Sequence, residues 1–224
     1  MITTPGPLPT MSLEEIWPPY ALRITAGDLE LRIVRESDFP ELVAVALDGV
    51  HPPEEMPFYF PWTDAPPEKL AAEYVKYHSQ IKASFDRTSP NLEFVVRRSG
   101  EVVGSQGFNA QNFPVLRAGE TGSWLGQRFQ RQGIGTRMRQ AICAFAFDVL
   151  GAVEITSGAF ADNAASLAVS RKVGYQPNGV QRKPRRDSAA AHQSLLLTPE
   201  TFQRGESIEV KGAEELLSFL ELAE

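Results

Sequence analysis

This 224-residue chain has one cysteine, three histidines and no long apolar run, and each scarcity removes a class of protein. A lone cysteine, Cys143, forms no internal disulfide and builds no cysteine-rich zinc site. It stands beside Ile142 in a segment with helical apolar spacing, so it reads as a buried hydrophobe rather than a catalytic thiol. His51, His78 and His192 show no ligand spacing, and no metal is expected. A membrane-spanning helix needs roughly 20 consecutive apolar residues, and none occurs. The opening stretch, Met1 to Thr10, carries prolines where a signal peptide would carry an apolar block. The expectation is a cytoplasmic protein without membrane contact.

Positive charge is also in short supply. Lys and Arg number 22 against 28 Asp and Glu, a net charge of −6, which argues against a nucleic-acid partner. The imbalance is local: from Glu200 to Glu224 there are seven acids against Arg204 and Lys211. What remains is ordinary for a globular protein, with 42% hydrophobic and 22% charged residues, and the length suits one domain with extensions.

Taken in order, residues 1–20 read as a proline-rich arm whose Trp17 and Tyr20 seek a neighbour. Residues 21–198 carry alternating strand and helix patterns, and 199–224 form an acidic tail with a short amphipathic helix bearing Leu216, Leu217 and Leu220. Strands are expected over 22–25, 29–34, 91–98, 101–108, 117–128, 153–157, 175–182 and 193–198. Helices are expected from about 38 to 47, 66 to 84, 133 to 150 and 163 to 172, the last stopped by Gly174 in a left-handed cap. Ile134, Met138, Ile142, Phe145 and Val149 form one apolar stripe for a sheet to bury. The loop 49–64 is rich in proline and large apolar groups, which close the core, line an acceptor cleft, or do both. A polar, basic loop is expected over 183–192. Strands and helices in this order imply a mixed α/β sheet.

The centre of the chain is Gln130-Arg131-Gln132-Gly133-Ile134-Gly135-Thr136, a glycine-bearing turn that follows a strand and enters a helix. The first N–H groups of a helix lack partners within it and carry partial positive charge, so such a turn suits a phosphate. Arg128, Arg131, Arg137 and Arg139 fall within a dozen residues that contain no acid. Cations in a first helical turn oppose the dipole, so an anion is expected to offset them. A dinucleotide-binding turn is disfavoured, because Arg137-Met138 follows where a third glycine would stand.

This order of strand, Gln130-x-x-Gly133-x-Gly135, amphipathic helix, strand, Asn163-x-x-Ser166 and Lys172-Val173-Gly174-Tyr175 resembles the GCN5-related N-acyltransferases (GNAT). Within them it is similar to the branch that acetylates ribosomal-protein N-termini. His51-Pro52-Pro53, Met56-Pro57-Phe58, Pro61-Trp62 and Gly122-Ser123-Trp124-Leu125-Gly126 further resemble an actinobacterial subgroup that includes a mycobacterial succinyltransferase. The likeness covers about residues 28–198. It implies an α/β GNAT fold, a mixed, mostly antiparallel twisted sheet with helices on both faces and a splayed central strand pair. It also implies transfer of an acetyl or succinyl group from acetyl-CoA or succinyl-CoA to an amine by direct attack, the acceptor being a protein lysine, a protein N-terminus or a small molecule.

The resemblance assigns roles residue by residue. The CoA phosphates fall to Gln130, Arg131, Gln132, Gly133, Ile134, Gly135 and Thr136; the pantetheine arm falls to the strand edge at Trp124, Leu125 and Gln127 and to Asn163 and Ser166. Asn163 equally suits a helix cap. A backbone N–H at Trp124 or Leu125 is expected to meet the thioester oxygen. Glu120 is the expected base, sharing a strand face with Gly122 and Trp124 by period two. Where many relatives carry a tyrosine acid this chain has Ser170, a poor acid that would work through water. Met56, Phe58 and Trp62 are expected at the acceptor. Arg182, Lys183, Arg185 and Arg186 form either a solvated loop or a cation site for an acidic acyl tail. The apolar arm and tail suggest a homo-oligomer. The competing function is a non-catalytic acyl-CoA-binding protein that senses metabolite level.

Overall fold

The computed structural model describes residues 10–222, so residues 1–9 of the expected arm and the last two of the tail lie outside the described residues. Ser12 and Glu15 form a reciprocal capping box that starts a short helix, α1 (Leu13–Ile16). Two strands follow, β1 (Arg23–Ala26) and β2 (Leu29–Ile33), joined through Gly27 at φ +57°. Next come α2 (Phe39–Leu47) and, after the proline-rich loop, α3 (Pro67–Ala83). The hairpin β3 (Asn91–Arg98) and β4 (Glu101–Ala110) turns at Ser99-Gly100, where both residues have positive φ. A helical turn, α4 (Phe113–Leu116), leads to β5 (Ala118–Leu125), α5 (Ile134–Asp148), β6 (Glu154–Phe160) and α6 (Ala164–Val173). The chain ends with β7 (Gln176–Arg185), β8 (Ser188–Leu197), β9 (Glu209–Lys211) and α7 (Ala213–Phe219).

The nine strands form one sheet in the order β7-β8-β6-β5-β4-β3-β2-β1-β9. Every neighbouring pair is antiparallel except β5 and β6. That parallel ladder holds only Ala118↔Glu154, Gly119↔Ile155 and Glu120↔Thr156. Beyond Glu120 the two strands part, and the sheet opens in its middle.

Residues paired across strands point to one face. The rows Glu93–Gly107–Gly122 and Val95–Ser105–Trp124 face α2 and α3, where the Trp124 and Tyr74 rings meet edge to face at 6.4 Å. The alternate residues face α5 and α6: Phe94 meets Phe145 of α5 at 6.4 Å. The α5 stripe is buried as its spacing requires, with Ile134, Met138, Ile142 and Phe145 at most 1% exposed.

Three expectations need correction. The loop over 183–192 is instead a tight hairpin, because Arg186 adopts φ +52° and the strands β7 and β8 run on past the body of the sheet. Most of β7 is exposed, so no apolar alternation marks it. The strand expected to reach residue 128 ends at Leu125, since Gly126 donates to the Val103 carbonyl and Gln127 to Gly49, which turn the chain into a single 3-10 turn. Finally, the apolar groups that suggested an outside partner are packed within the chain. Trp17 stands 5.1 Å from Phe85 and 5.4 Å from Phe219, Leu216 and Leu220 are buried, and β9 extends the sheet along β1.

Candidate active site

The turn before α5 provides a bare backbone. Among the described residues no protein acceptor takes the N–H of Arg131, Gln132, Gly133, Ile134 or Gly135, whereas Thr136 and Arg137 both donate to the Gly133 carbonyl. Arg131 at φ +60° and Gly133 at φ +80° give the turn its curvature, and a side chain added at Gly133 would project into open space. The glutamines brace this turn. Gln130 donates to the carbonyls of Val50 and Leu125, and Gln132 donates to the Arg128 carbonyl while accepting from Arg98.

The arginines divide into two kinds. Arg128 meets Asp48 and Glu101, and Arg137 meets Asp28 and Glu206, so acids remote in sequence offset half of the local positive charge. Arg131 is exposed, and neither it nor Arg139 has a carboxylate partner among the described residues.

Arg139 is only 4% exposed and lies across the opening between β5 and β6. Its two terminal nitrogens donate to Ser123 Oγ at 2.8 Å on β5 and to Ser157 Oγ at 3.1 Å on β6, while its Nε has no partner. Burying a charge costs several kcal/mol when no counterion offsets it. A guanidinium held this way is a ready donor for an anionic or carbonyl oxygen in the gap.

Strand alternation shows which backbone groups face that gap. The Thr121 carbonyl accepts from Ser157 on the β6 side, and the Gly122 carbonyl accepts from Gln106 on the β4 side. Ser123 and Leu125 therefore turn their N–H groups to the opening, and Trp124 turns its own toward β4. Of the two residues expected to supply the oxyanion donor, Leu125 is the one whose N–H faces the opening. Its carbonyl is already held by Gln130, leaving the N–H available.

On α6, Asn163 caps the helix by accepting from Ser166 N–H at 3.0 Å, and its side-chain NH₂ stays available. Ser170 is 1% exposed, and its Oγ has no partner. Tyr175 shares a hydrogen bond of 2.7 Å with Thr121 and lies 3.5 Å from Cys143 Sγ. Burial raises both phenol and thiol, the latter to about 11, so neither ionises near neutrality.

The opposite face carries the expected acceptor residues. Glu120 is exposed at the end of the β5–β6 ladder, with open Gly122 and half-buried Trp124 beyond it on the same face. The Trp62 ring lies tilted 5.4 Å from Trp124 and 5.4 Å from Phe58, Met56 is 5% exposed, and Phe58 and Trp62 pack on the buried cluster of Ala46, Val50 and Leu70. The loop therefore serves the core and walls the face at once. The β7–β8 hairpin reaches over it: Arg186 pairs with Asp64 at 2.7 Å and donates to the Pro53 carbonyl, and Lys183 sits 4.8 Å from the centre of the Tyr59 ring. Arg185 pairs with Asp162. The basic cluster thus closes a strap, with Arg185 and Arg186 committed to acids of the chain itself.

Residues 28–176 match the family model for the GNAT acetyltransferase domain. The chain belongs to that family. Solved structures share the GNAT architecture. RimJ of Mycobacterium smegmatis in complex with a CoA disulfide aligns with a TM-score of 0.66 at 20% identity, over 88% of this chain and 92% of that one. An acetyltransferase from Salmonella typhimurium that modifies the N-terminal serine of ribosomal protein L7/L12 gives 0.62 at 20% identity, over 77% and 96%. RimL in complex with coenzyme A, a ribosomal L7/L12 alpha-N-protein acetyltransferase, gives 0.61 at 20% identity, over 77% and 95%. At this identity the likeness establishes the fold.

Sequence reasoning missed two residues. Arg139 looked like one more cation in a basic turn, and only its position on the buried side of α5 hinted otherwise. Glu93 looked like a polar residue in an alternating strand, and nothing local sets it apart from Glu101 or Glu120.

Proposed function

We propose that the protein transfers an acyl group from a CoA thioester to a primary amine. The observation that carries this is the run of five backbone N–H groups, 131–135, without acceptors among the described residues, beside a sheet opened after Glu120. Such a run binds the phosphates of CoA. The pantetheine arm then lies along the free edge at Ser123 and Leu125, completing the sheet as an added strand does, within reach of the spare amide of Asn163 and of Ser166.

The amine nitrogen attacks the thioester carbon, the carbonyl oxygen takes up charge toward the Leu125 N–H, and the C–S bond breaks to release the thiolate. The ammonium-like nitrogen gives up a proton to a carboxylate on the α2–α3 face, where Glu120 and Glu93 stand. Ser170, buried and without a partner, relays a proton to the thiolate through water.

The acceptor is the α-amine of a protein chain. The similar structures named for ribosomal-protein acetylation motivate this choice, and the strap of Arg186 and Asp64 over the loop suits a narrow, extended end better than a folded surface. Acetyl-CoA is the donor. Arg139 favours a second donor as well: its guanidinium, without a carboxylate partner among the described residues, suits the free carboxylate of a succinyl group. The work is placed in the cytoplasm, where CoA thioesters are supplied.

Calorimetric titration with CoA, followed by mass spectrometry of unblocked peptides after incubation with acetyl-CoA or succinyl-CoA, tests all of this. A mass gain of one acyl group at the N-terminus supports the reading. CoA binding without acylation of any amine would instead favour a sensing role.

A further inference from the structure

Two carboxylates stand on the α2–α3 face, and their surroundings differ. Glu120 is exposed at its rim. Glu93 is half-buried in the middle of β3, in the row Glu93–Gly107–Gly122 that crosses three strands. Its carboxylate lies over the first glycine: a Cβ on Gly107 would stand 2.7 Å from Glu93 Oε1. Above Gly122 there is nothing within 4 Å. Neighbouring strands are about 4.8 Å apart, so this open space lies one strand from the Glu93 carboxylate. It borders β5 just after β6 begins to leave.

No cation pairs with Glu93 among the described residues. The Ser105 hydroxyl lies 3.5 Å from the Glu93 carboxylate and closer, at 2.9 Å, to the Phe94 carbonyl. On its other side Glu93 lines a cavity of about 310 Å³ walled by Trp17, Tyr20, Phe39 and Phe85. There Asn91 adds a second acceptor, for its buried Oδ1 has no donor.

We propose that Glu93 is the general base, and that the acceptor amine sits over Gly122 with its N–H directed to the Glu93 carboxylate above the neighbouring Gly107. This rests on the acyltransferase reading given above. As the nitrogen bonds to the thioester carbon, its proton passes to Glu93, and the C–S electron pair departs with the thiolate.

The surroundings hold the carboxyl near the pH at which it must work. Burial pushes it up to about 7, against a small lowering by Ser105. From α3, Tyr74 and Tyr77 face it, the Tyr74 hydroxyl raised by burial and that of the partly exposed Tyr77 raised as well, and buried His78 is depressed to about 4, so all three stay neutral. Lys82, on the same cavity, is engaged by Tyr20 and by Glu36. Asp38 is held by Arg32 and Arg97, and exposed Glu120 has no cation partner among the described residues.

The test compares wild type, Glu93→Gln, Glu93→Asp and Glu120→Gln with acetyl-CoA and a panel of unblocked hexapeptides and benzylamine, across pH. General-base loss is expected to lower kcat/KM of Glu93→Gln by about 100-fold or more and to remove the limb that rises through neutral pH. Glu93→Asp, its carboxylate drawn back by one methylene, is expected to keep the limb at a reduced kcat with the acetyl-CoA KM unmoved. Glu93→Gln that turns over within about threefold of wild type, limb intact, overturns the assignment, as does a loss carried by Glu120→Gln instead. A wild type that binds CoA and acylates nothing overturns the acyltransferase reading, and the base falls with it; the first failure shows in the variant, the second already in the parent.

Discussion

The two faces of the opened sheet offer different kinds of group to a ligand. On the α5–α6 face the groups left available are mostly backbone: consecutive N–H groups of one turn and the edge of one strand. On the α2–α3 face they are side chains from β3, β5, the loop 49–64 and the β7–β8 hairpin, joined only by folding. A backbone site tolerates drift in side chains and asks only for glycine where curvature demands it. A side-chain site changes its ligand with each substitution, which is how one fold keeps a donor while varying acceptors.

The sharpest way to break this contrast is at Gly133. Gly133→Val places a β-branched residue at φ +80° and a side chain in the open cradle. CoA affinity by calorimetry is expected to fall about 100-fold or more, near 2.7 kcal/mol, with the circular dichroism spectrum retained. Arg139→Met comes next. It removes a buried guanidinium that has no carboxylate partner, so stability should hold or rise. The ratio of succinyl-CoA to acetyl-CoA turnover is expected to drop by about 10-fold, the worth of one charge-assisted contact.

On the other face, Arg186→Ala opens the strap. An exposed ion pair contributes about 1 kcal/mol or less to stability, so unfolding should scarcely move, while the acceptor KM rises by roughly three- to five-fold at unchanged CoA affinity.

The smallest effect separates the faces by pH. The folded-state pKa of Glu93 is raised from 4.5 to about 7, so the native state binds a proton more tightly than the unfolded chain. That contribution is fully present below the unfolded pKa and is lost as pH rises through about 7. Glu93→Gln is therefore expected to unfold at a higher temperature than wild type at pH 8, by on the order of 1 kcal/mol. The gain relative to wild type should disappear at acid pH. Equal pH dependence in both proteins would show that Glu93 titrates as a free carboxylate.

The sequence by itself settled the elements whose cause is local. The stripe from Ile134 to Phe145, the cap at Gly174, the turn at Ser99-Gly100 and the glycine-bearing turn before α5 depend on neighbours a few residues away, and each stands where its pattern places it. Patterning failed where its cause is distant. The hairpin β7–β8 leaves the sheet body, so neither of its faces needs apolar alternation. The tail becomes a ninth strand because β1 leaves an edge free and α7 finds a place against Trp17 and Phe85. Glu93 and Arg139 were legible as residues and silent as groups. Burial and the absence of a counterion are properties of the surroundings, and these exist only once β3, β4, β5, β6 and α5 have come together.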